Sequence, residues 1–356
     1  MSHGSNDTKA EAPGALGDAQ LLEIYDFALG LGRRAGKILL DGVDQRCGDE
    51  EGRGQNEVNK MNAVDIVTQT DLDVEAFVKN EITARYPSHK FIGEETYSTG
   101  NSKEYLVTDS PTWVVDPLDG TVNYTHLFPM FCVSIAFCIS GVPVIGIIYA
   151  PILDVTYSAL TGHGAWLNDS SPSSPAPSHK RKQQLPLVRN PIPVLPEAAP
   201  KGCVFSCEWG KDRRDVKDGN MWRKVESFLT MAAESSGRDG KGGMVHGVRS
   251  LGSATMDLAY VATGAFDIWW EGGCWEWDVA AGICILREAG GLITTANPPI
   301  DIETDPIEEV RLGSRLYLAI RAAGDGATET GRQAQERVVR ETWKRVYNLD
   351  YSRPGA

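Results

Sequence analysis

Paired cysteines, an excess of positive charge and an unbroken apolar helix are all missing from this sequence, and each absence removes a class of protein. The 356 residues hold seven cysteines, an odd number, with no CxxC. A disulfide framework is not expected, and a reducing cytoplasm is the default setting. Cys203 and Cys207 form a CxxxC with no second ligand pair nearby, whereas structural zinc needs four converging ligands. Lysine and arginine number 35 against 48 acidic residues, for a net charge of −13. Such a surface repels nucleic acid and anionic lipid, so neither is an expected partner. The first 18 residues are polar and lack the apolar core of a secretory signal, and are expected to form a disordered tail. Leu127 to Leu153 carries no charge and is long enough to span a bilayer. It is broken at Ser140-Gly141-Val142-Pro143, and its flanks are rich in β-branched and aromatic residues. Two buried strands joined by a turn are expected there.

What is present is an ordinary globular composition, 42% hydrophobic and 23% charged. Leu21, Tyr25, Ala28, Leu31, Ala35 and Ile38 keep helical spacing, with Gly42 placed as a stop. Asp41 to Asn59 reads as a loop. Thr70 and Asp73 suggest a capping box for a second helix that ends at Pro87. Short strands are expected at Lys90–Ile92 and Trp113–Val115. Residues 168–201 hold eight of the 19 prolines and a basic knot, His179-Lys180-Arg181-Lys182, and read as a surface insertion. After Cys203, helices are expected over Met221–Ala233, from Ser253 to Gly264, and over Asp278–Ala289, with a strand at Ala265–Trp270. The expected organisation is a tail (1–18), an N-terminal α+β half (19–201) and a C-terminal α/β half (202–356). Helices and strands alternate, so mixed α and β layers are expected.

The chemistry concentrates in Asp116-Pro117-Leu118-Asp119-Gly120-Thr121, directly after the apolar Thr112-Trp113-Val114-Val115. Pro117 restricts the backbone and Gly120 permits a tight turn, so both carboxylates and the Leu118 carbonyl can aim at one point. Glu94 and Glu95 end another strand, and Asp278 opens a helix. Each of these has a plainer reading alone: a turn, a solvated loop, an N-cap. Together they make an oxygen-only set that suits Mg²⁺. Four or five converging carboxylates repel unless cations lie between them. Two metals about 3.5–4 Å apart would clamp a phosphoryl group.

These motifs resemble the inositol monophosphatase family. The resemblance runs from about Leu21 to the region of Leu318. It includes VDIVTQTD (64–71), YPSHKFIGEE (86–95), WVVDPLDGTVNYTHLFP (113–129), VHGVRSLGSATMDLAYVATG (245–264) and WEWDVAAGICILREAGG (275–291). It implies an α+β fold, a layered αβαβα sandwich, and a Mg²⁺-dependent, lithium-sensitive phosphatase, commonly a homodimer. Glu94, Asp116, the Leu118 carbonyl, Asp119 and Asp278 match its ligands for two or three Mg²⁺ ions, and Glu95 matches a more peripheral position. Thr121 and Asp71 match a pair that orients the nucleophilic water, with Glu94 holding the metal beside it. Gly120 and Thr121 match backbone donors to phosphate. Asp119, Gly252, Ser253, Ala254 and Glu271 match substrate contacts. Lys60 matches a family lysine of open role. The implied reaction is in-line hydrolysis of a phosphate monoester by metal-activated water, without a phosphoenzyme.

The segment after Asp119 looks most like the monophosphatases. Arg249 is the obvious basic residue beside the substrate block, whereas several phosphates would call for more. A small polyol monophosphate, myo-inositol phosphate first, is therefore expected. Fungal relatives encoded with quinate-utilisation genes and nucleotide bisphosphatases are the alternatives. A non-catalytic regulatory homologue is a further one, although every matched ligand is retained.

Overall fold

In the computed structural model, residues 16–47, 58–59, 66–98, 107–169 and 181–353 are described. The expectations for residues 1–15, the loop 48–57, Lys60 and residues 170–180 of the Pro-rich segment lie outside them. The chain opens with helix α1 (Asp18–Cys47), then the short antiparallel ladder β1 (Val58–Asn59) and β2 (Ile66–Val67), and helix α2 (Gln69–Arg85). Gly42 does not stop α1. It is buried next to Val43, and packing of that last turn outweighs the roughly 1 kcal/mol that an interior glycine costs.

A seven-stranded sheet follows in simple order: β3 (Lys90–Gly93), β4 (Thr112–Asp119), β5 (Cys132–Ile139), β6 (Val142–Ala150), β7 (Val155–Leu160), β8 (Ala165–Leu167) and β9 (Gln183–Gln184). The uncharged run from Leu127 is thus the hairpin β5–β6, turning at Ser140-Gly141. Only β3 and β4 run parallel, so their C-terminal ends share one edge. Two short helices leave that edge, α3 (Glu94–Ser98) and α4 (Thr121–Thr125).

The second half supplies β10 (Val204–Ser206), α5 (Asn220–Ala232), the turn α6 (Gly237–Gly240), β11 (Gly247–Arg249), α7 (Ala254–Thr263), β12 (Ile268–Gly272), α8 (Glu276–Glu288), β13 (Leu292–Thr294), β14 (Leu316–Ile320) and α9 (Gly331–Trp343). Its strands form a five-stranded sheet in the order β11-β10-β12-β14-β13. Ser253 caps α7 by accepting from the Met256 amide, and Gly264 ends it in the left-handed region, as the sequence indicates.

Helices α1 and α2 cover one face of the large sheet, where Leu31, Ala35, Val74 and Val78 meet Val115, Ile135 and Ile147. Helices α7 and α8 cover its other face and also lie against the five-stranded sheet, so one apolar cluster joins Ile148, Leu258, Ile283 and Trp269. Helix α9 closes the far side through Val338, Val339 and Trp343. The result is an α+β fold layered αβαβα. The Pro-rich segment is less detached than its composition suggests. Residues from 181 onward carry β9 on β8, and Leu185, Leu195 and Ala199 are buried. Among the described residues, no helix is long and apolar enough to cross a membrane.

Candidate metal centre

The site lies where β3 and β4 end together. All eight positions of β4 are buried, including Asp116 and Asp119. In a regular strand, residues three apart point to opposite faces. Here the pairing slips: Asp116 faces Ser134 and Asp119 faces Cys132, so one extra residue is accommodated around Pro117. This bulge re-aims the chain, and Pro117 has no amide to leave unpaired in it. The Leu118 amide donates to Asp116 Oδ1 at 2.9 Å, fixing the turn. Gly120 then takes φ +85°, and a Cβ there would meet the Met130 carbonyl at 2.8 Å. Asn123 fastens the loop by donating to Leu251 O at 2.8 Å.

Carboxylate oxygens of Glu94, Asp116 and Asp278 all lie within 4.8 Å of one another. Glu94 comes from the end of β3, Asp116 from β4, and Asp278 from the first turn of α8. Asp278 reaches the cluster because the Trp275 amide donates to its Oδ2 at 2.7 Å. Asp119 joins them electrostatically. One of its oxygens accepts from the Ser253 hydroxyl and, at 3.3 Å, from the Thr255 amide.

Burial drives all three aspartates toward protonation. Asp278 is pushed up to about 8, next by the charges of Asp119 and Glu94. Asp119 rises to about 6, held back by its hydrogen bond from Ser253. Asp116 lies well above the usual range, from burial and then the charge of Glu94. Such mutual repulsion is what a bound cation relieves. The donors are all hard oxygens, so the residues present fit Mg²⁺. No other group of metal-ligating side chains occurs among the described residues, and Cys203 and Cys207 are buried free thiols.

Beside this cluster, Thr121 Oγ1 lies 3.2 Å from Asp71 Oδ1 and 3.1 Å from the Leu118 carbonyl. The other Asp71 oxygen accepts from the Thr68 amide at 2.9 Å. The capping box of α2 is therefore Thr68 with Asp71, not Thr70 with Asp73. Asp73 instead accepts from the Gln69 side chain on the helix surface. Gly252, Ser253 and Ala254 stand at the start of α7, with Ser253 bonded to Asp119. Glu95 is buried, and its amide donates to Glu75 Oε2 at 2.7 Å.

Glu271 stands apart from the cluster. Its Oε1 accepts from the Lys224 ammonium and the Gly272 amide, and its Oε2 accepts from the Glu208 amide at 2.6 Å. Lys224 is fully buried and also donates to Glu208 O at 2.9 Å. Both oxygens of Glu271 are thereby engaged inside the protein.

Three residues were not visible as site residues in the sequence. Glu75 on α2 accepts from the amides of Glu95 and Thr96, at 2.7 Å each, and so anchors the start of α3 behind Glu94. Lys224 closes Glu271. Lys211 approaches Glu94 Oε1 to 3.7 Å, and its charge offsets a small part of the rise at Asp278. Among the described residues, Lys211 is a cation set against the cluster, whereas Arg249 is exposed and donates to its neighbour's carbonyl.

Comparison with known proteins agrees with this architecture. The model of the inositol monophosphatase family matches residues 20–347. Protein qutG of Emericella nidulans is 62% identical over 336 residues, covering 94% of this chain and 96% of that protein. The quinic acid degradation cluster protein x of Neurospora crassa is 62% identical over 346 residues, covering 95% and 97%. The solved inositol monophosphatase of Anabaena superposes with a TM-score of 0.60 at 25% identity, covering 92% of this chain and 98% of that one. With the family match spanning nearly the whole described chain, and the carboxylate cluster sitting where its motifs fall, this chain belongs to the inositol monophosphatase family, a family of phosphatases that act on small phosphate monoesters.

Proposed function

We propose that this chain hydrolyses a small polyol phosphate monoester with Mg²⁺, myo-inositol monophosphate being the first candidate. The observation that carries the reading is the meeting of four acidic residues from three distant segments beside a half-buried threonine–aspartate pair. Glu94, Asp116 and the Leu118 carbonyl would hold one ion. Asp116, Asp119 and Asp278 would hold a second. Bound there, magnesium supplies a Lewis acid to the phosphoryl oxygens and makes a water more acidic.

The chain's own residues do the rest. Thr68 holds Asp71 in place by donating its amide to Oδ2. Thr121 donates its hydroxyl proton to Asp71 Oδ1, which leaves a lone pair on Oγ1 facing the cluster. A water that donates to that lone pair is oriented for attack. Its proton moves toward Asp71 through Thr121 as the new P–O bond forms. The bond to the polyol oxygen breaks on the opposite side, and that oxygen takes a proton from solvent. Gly120 and Thr121 offer backbone amides to phosphate, and Gly252, Ser253 and Ala254 line the polyol side. A homodimer of such chains fits the family habit.

A second reading has a specific observation behind it. Glu271 is closed by Lys224, so it offers no ready acceptor to a neutral polyol hydroxyl. Two relatives at 62% identity bear qutG and quinic acid names rather than inositol ones. Both facts favour a phosphorylated compound other than inositol phosphate.

The test is phosphate release with Mg²⁺ across inositol, sugar, cyclic hydroxy-acid and nucleotide phosphates. Wild type should release phosphate from at least one, and Asp116→Asn and Thr121→Ala should lose it. No release from any of them by pure, folded wild type would remove the reading.

A further inference from the structure

The family match ends at residue 347, yet the chain continues and folds back onto the site. Two asparagine side chains fasten this tail by pairing with its backbone in both directions. Asn297 donates to Leu349 O and accepts from Leu349 N, each at 2.8 Å. Asn220 donates to Asp350 O at 2.8 Å and accepts from Asp350 N at 2.7 Å. Such reciprocal bonds satisfy both backbone groups of a residue and hold the segment in one register.

What the tail covers is the turn from β12 to α8. A Cβ on Gly272 would meet Leu349 Cδ1 at 2.7 Å and Tyr351 Cδ2 at 2.8 Å, so the tail lies directly on that backbone. A second layer of contacts reaches the metal ligand. Arg315 donates to Ser352 O at 3.2 Å and to Gly273 O at 2.7 Å, and its guanidinium lies 3.8 Å over the Trp275 ring. Trp275 supplies the amide that orients Asp278. Arg353 forms an ion pair with Glu276, whose side chain is 1% exposed and which opens α8 two residues before Asp278.

We propose that residues 348–353 are a strap that sets the position of Asp278, with Arg353 as a positioning residue acting through Glu276. The strap touches no substrate. It fixes the turn that aims one ligand, and so it governs how tightly the site takes Mg²⁺. This rests on the metal reading given above. Loss of a group that orients a metal ligand costs about 10–100-fold in affinity. Arg353 acts one residue removed, through the backbone of α8, which places its effect at the low end.

The experiment uses the full chain and two readouts, the Mg²⁺ concentration that half-saturates thermal stabilisation and the one that half-saturates phosphate release. Arg353→Ala should raise both about tenfold, and Arg353→Lys should recover part of the loss. In a Glu276→Gln background, Arg353→Ala should add little, because both act through one contact. A purely structural role would lower the metal-free melting point and leave both half-saturation points unmoved, and that result would overturn the proposal. Should Arg353→Ala fail to fold, the neutral pair Arg353→Gln with Glu276→Gln takes its place, with the same expected and overturning results. If wild type itself shows no Mg²⁺ stabilisation, the metal reading falls and the strap's role with it. A responsive wild type with equally responsive variants removes the strap alone.

Discussion

Replacing Asp278 by asparagine should stabilise the metal-free protein near pH 8 and weaken its response to Mg²⁺. The reasoning starts from the carboxyl, pushed from 3.8 to about 8 by burial and by the charges of Asp119 and Glu94. Between those values the folded chain keeps a proton that the unfolded chain has released. The folded state therefore binds more protons in that window, and metal-free stability falls as pH rises through it. Below about pH 4 both states are protonated and the penalty is absent. One pKa unit corresponds to about 1.4 kcal/mol, so four units bound the effect at roughly 5 kcal/mol. Asp278 is only partly buried, and its titration is shared with Asp116 and Asp119. Solvent screening and that sharing reduce the expected gain to about 2–3 kcal/mol. Asparagine keeps an oxygen to accept from the Trp275 amide, so the start of α8 survives. Urea denaturation at pH 5, 6.5 and 8, with a chelator and then with Mg²⁺, reads the effect. Wild type should weaken toward pH 8 and recover with Mg²⁺, whereas the variant, which keeps only the raised Asp116 and Asp119, should weaken less and recover less. A variant no more stable than wild type at pH 8 without metal refutes the argument that charge crowding at Asp278 burdens the fold.

Three further outcomes are expected. Thr121→Ala should lower the rate of phosphate release about 10²–10⁴-fold with the melting point nearly kept, since it removes only the proton path to Asp71; steady-state kinetics checks this. Lys224→Met should cost about 3–5 kcal/mol by leaving Glu271 buried and unpaired, and adding Glu271→Leu should restore most of it in a denaturation series. Lys211→Glu should raise the KM for phosphate monoesters about tenfold by placing a like charge at the mouth, an effect of roughly 1.4 kcal/mol; an unchanged KM in low salt would remove Lys211 from the site.

The candidate site was legible because its acids sit in local patterns, Glu94, Asp116 and Asp119 at the ends of apolar strands and Asp278 at a helix start. The parallel pairing of β3 with β4 then brings Glu94 and Asp116 to one edge, as any reader of strand ends would expect. Helix limits were less legible. Gly42 carries the mark of a stop, but it is buried within α1, which runs on to Cys47. Thr70 and Asp73 have the spacing of a capping box, as do Thr68 and Asp71. Tertiary bonding decides between them, because Asp71 must also reach Thr121. The segment after residue 181 has a disorder-prone composition, but a few apolar residues, Leu185, Leu195 and Ala199, find sites in the core. Lys224 and Lys211 left no local trace at all. Their partners lie 47 and 117 positions away in sequence, and nothing but the assembled sheets brings them near.

The placement of α7 and α8 between the two sheets has a consequence for how the chain can be divided. Each sheet borrows the same pair of helices to cover an apolar face, so a fragment ending near residue 201 would present Ile148, Ala136 and Val114 to water. Such a fragment should be insoluble by itself and recover when co-expressed with the remainder, since the missing cover is then supplied in trans. The halves recognisable along the sequence are thus parts of one cooperative unit, and the boundary between them is a seam for complementation rather than a line of independent folding.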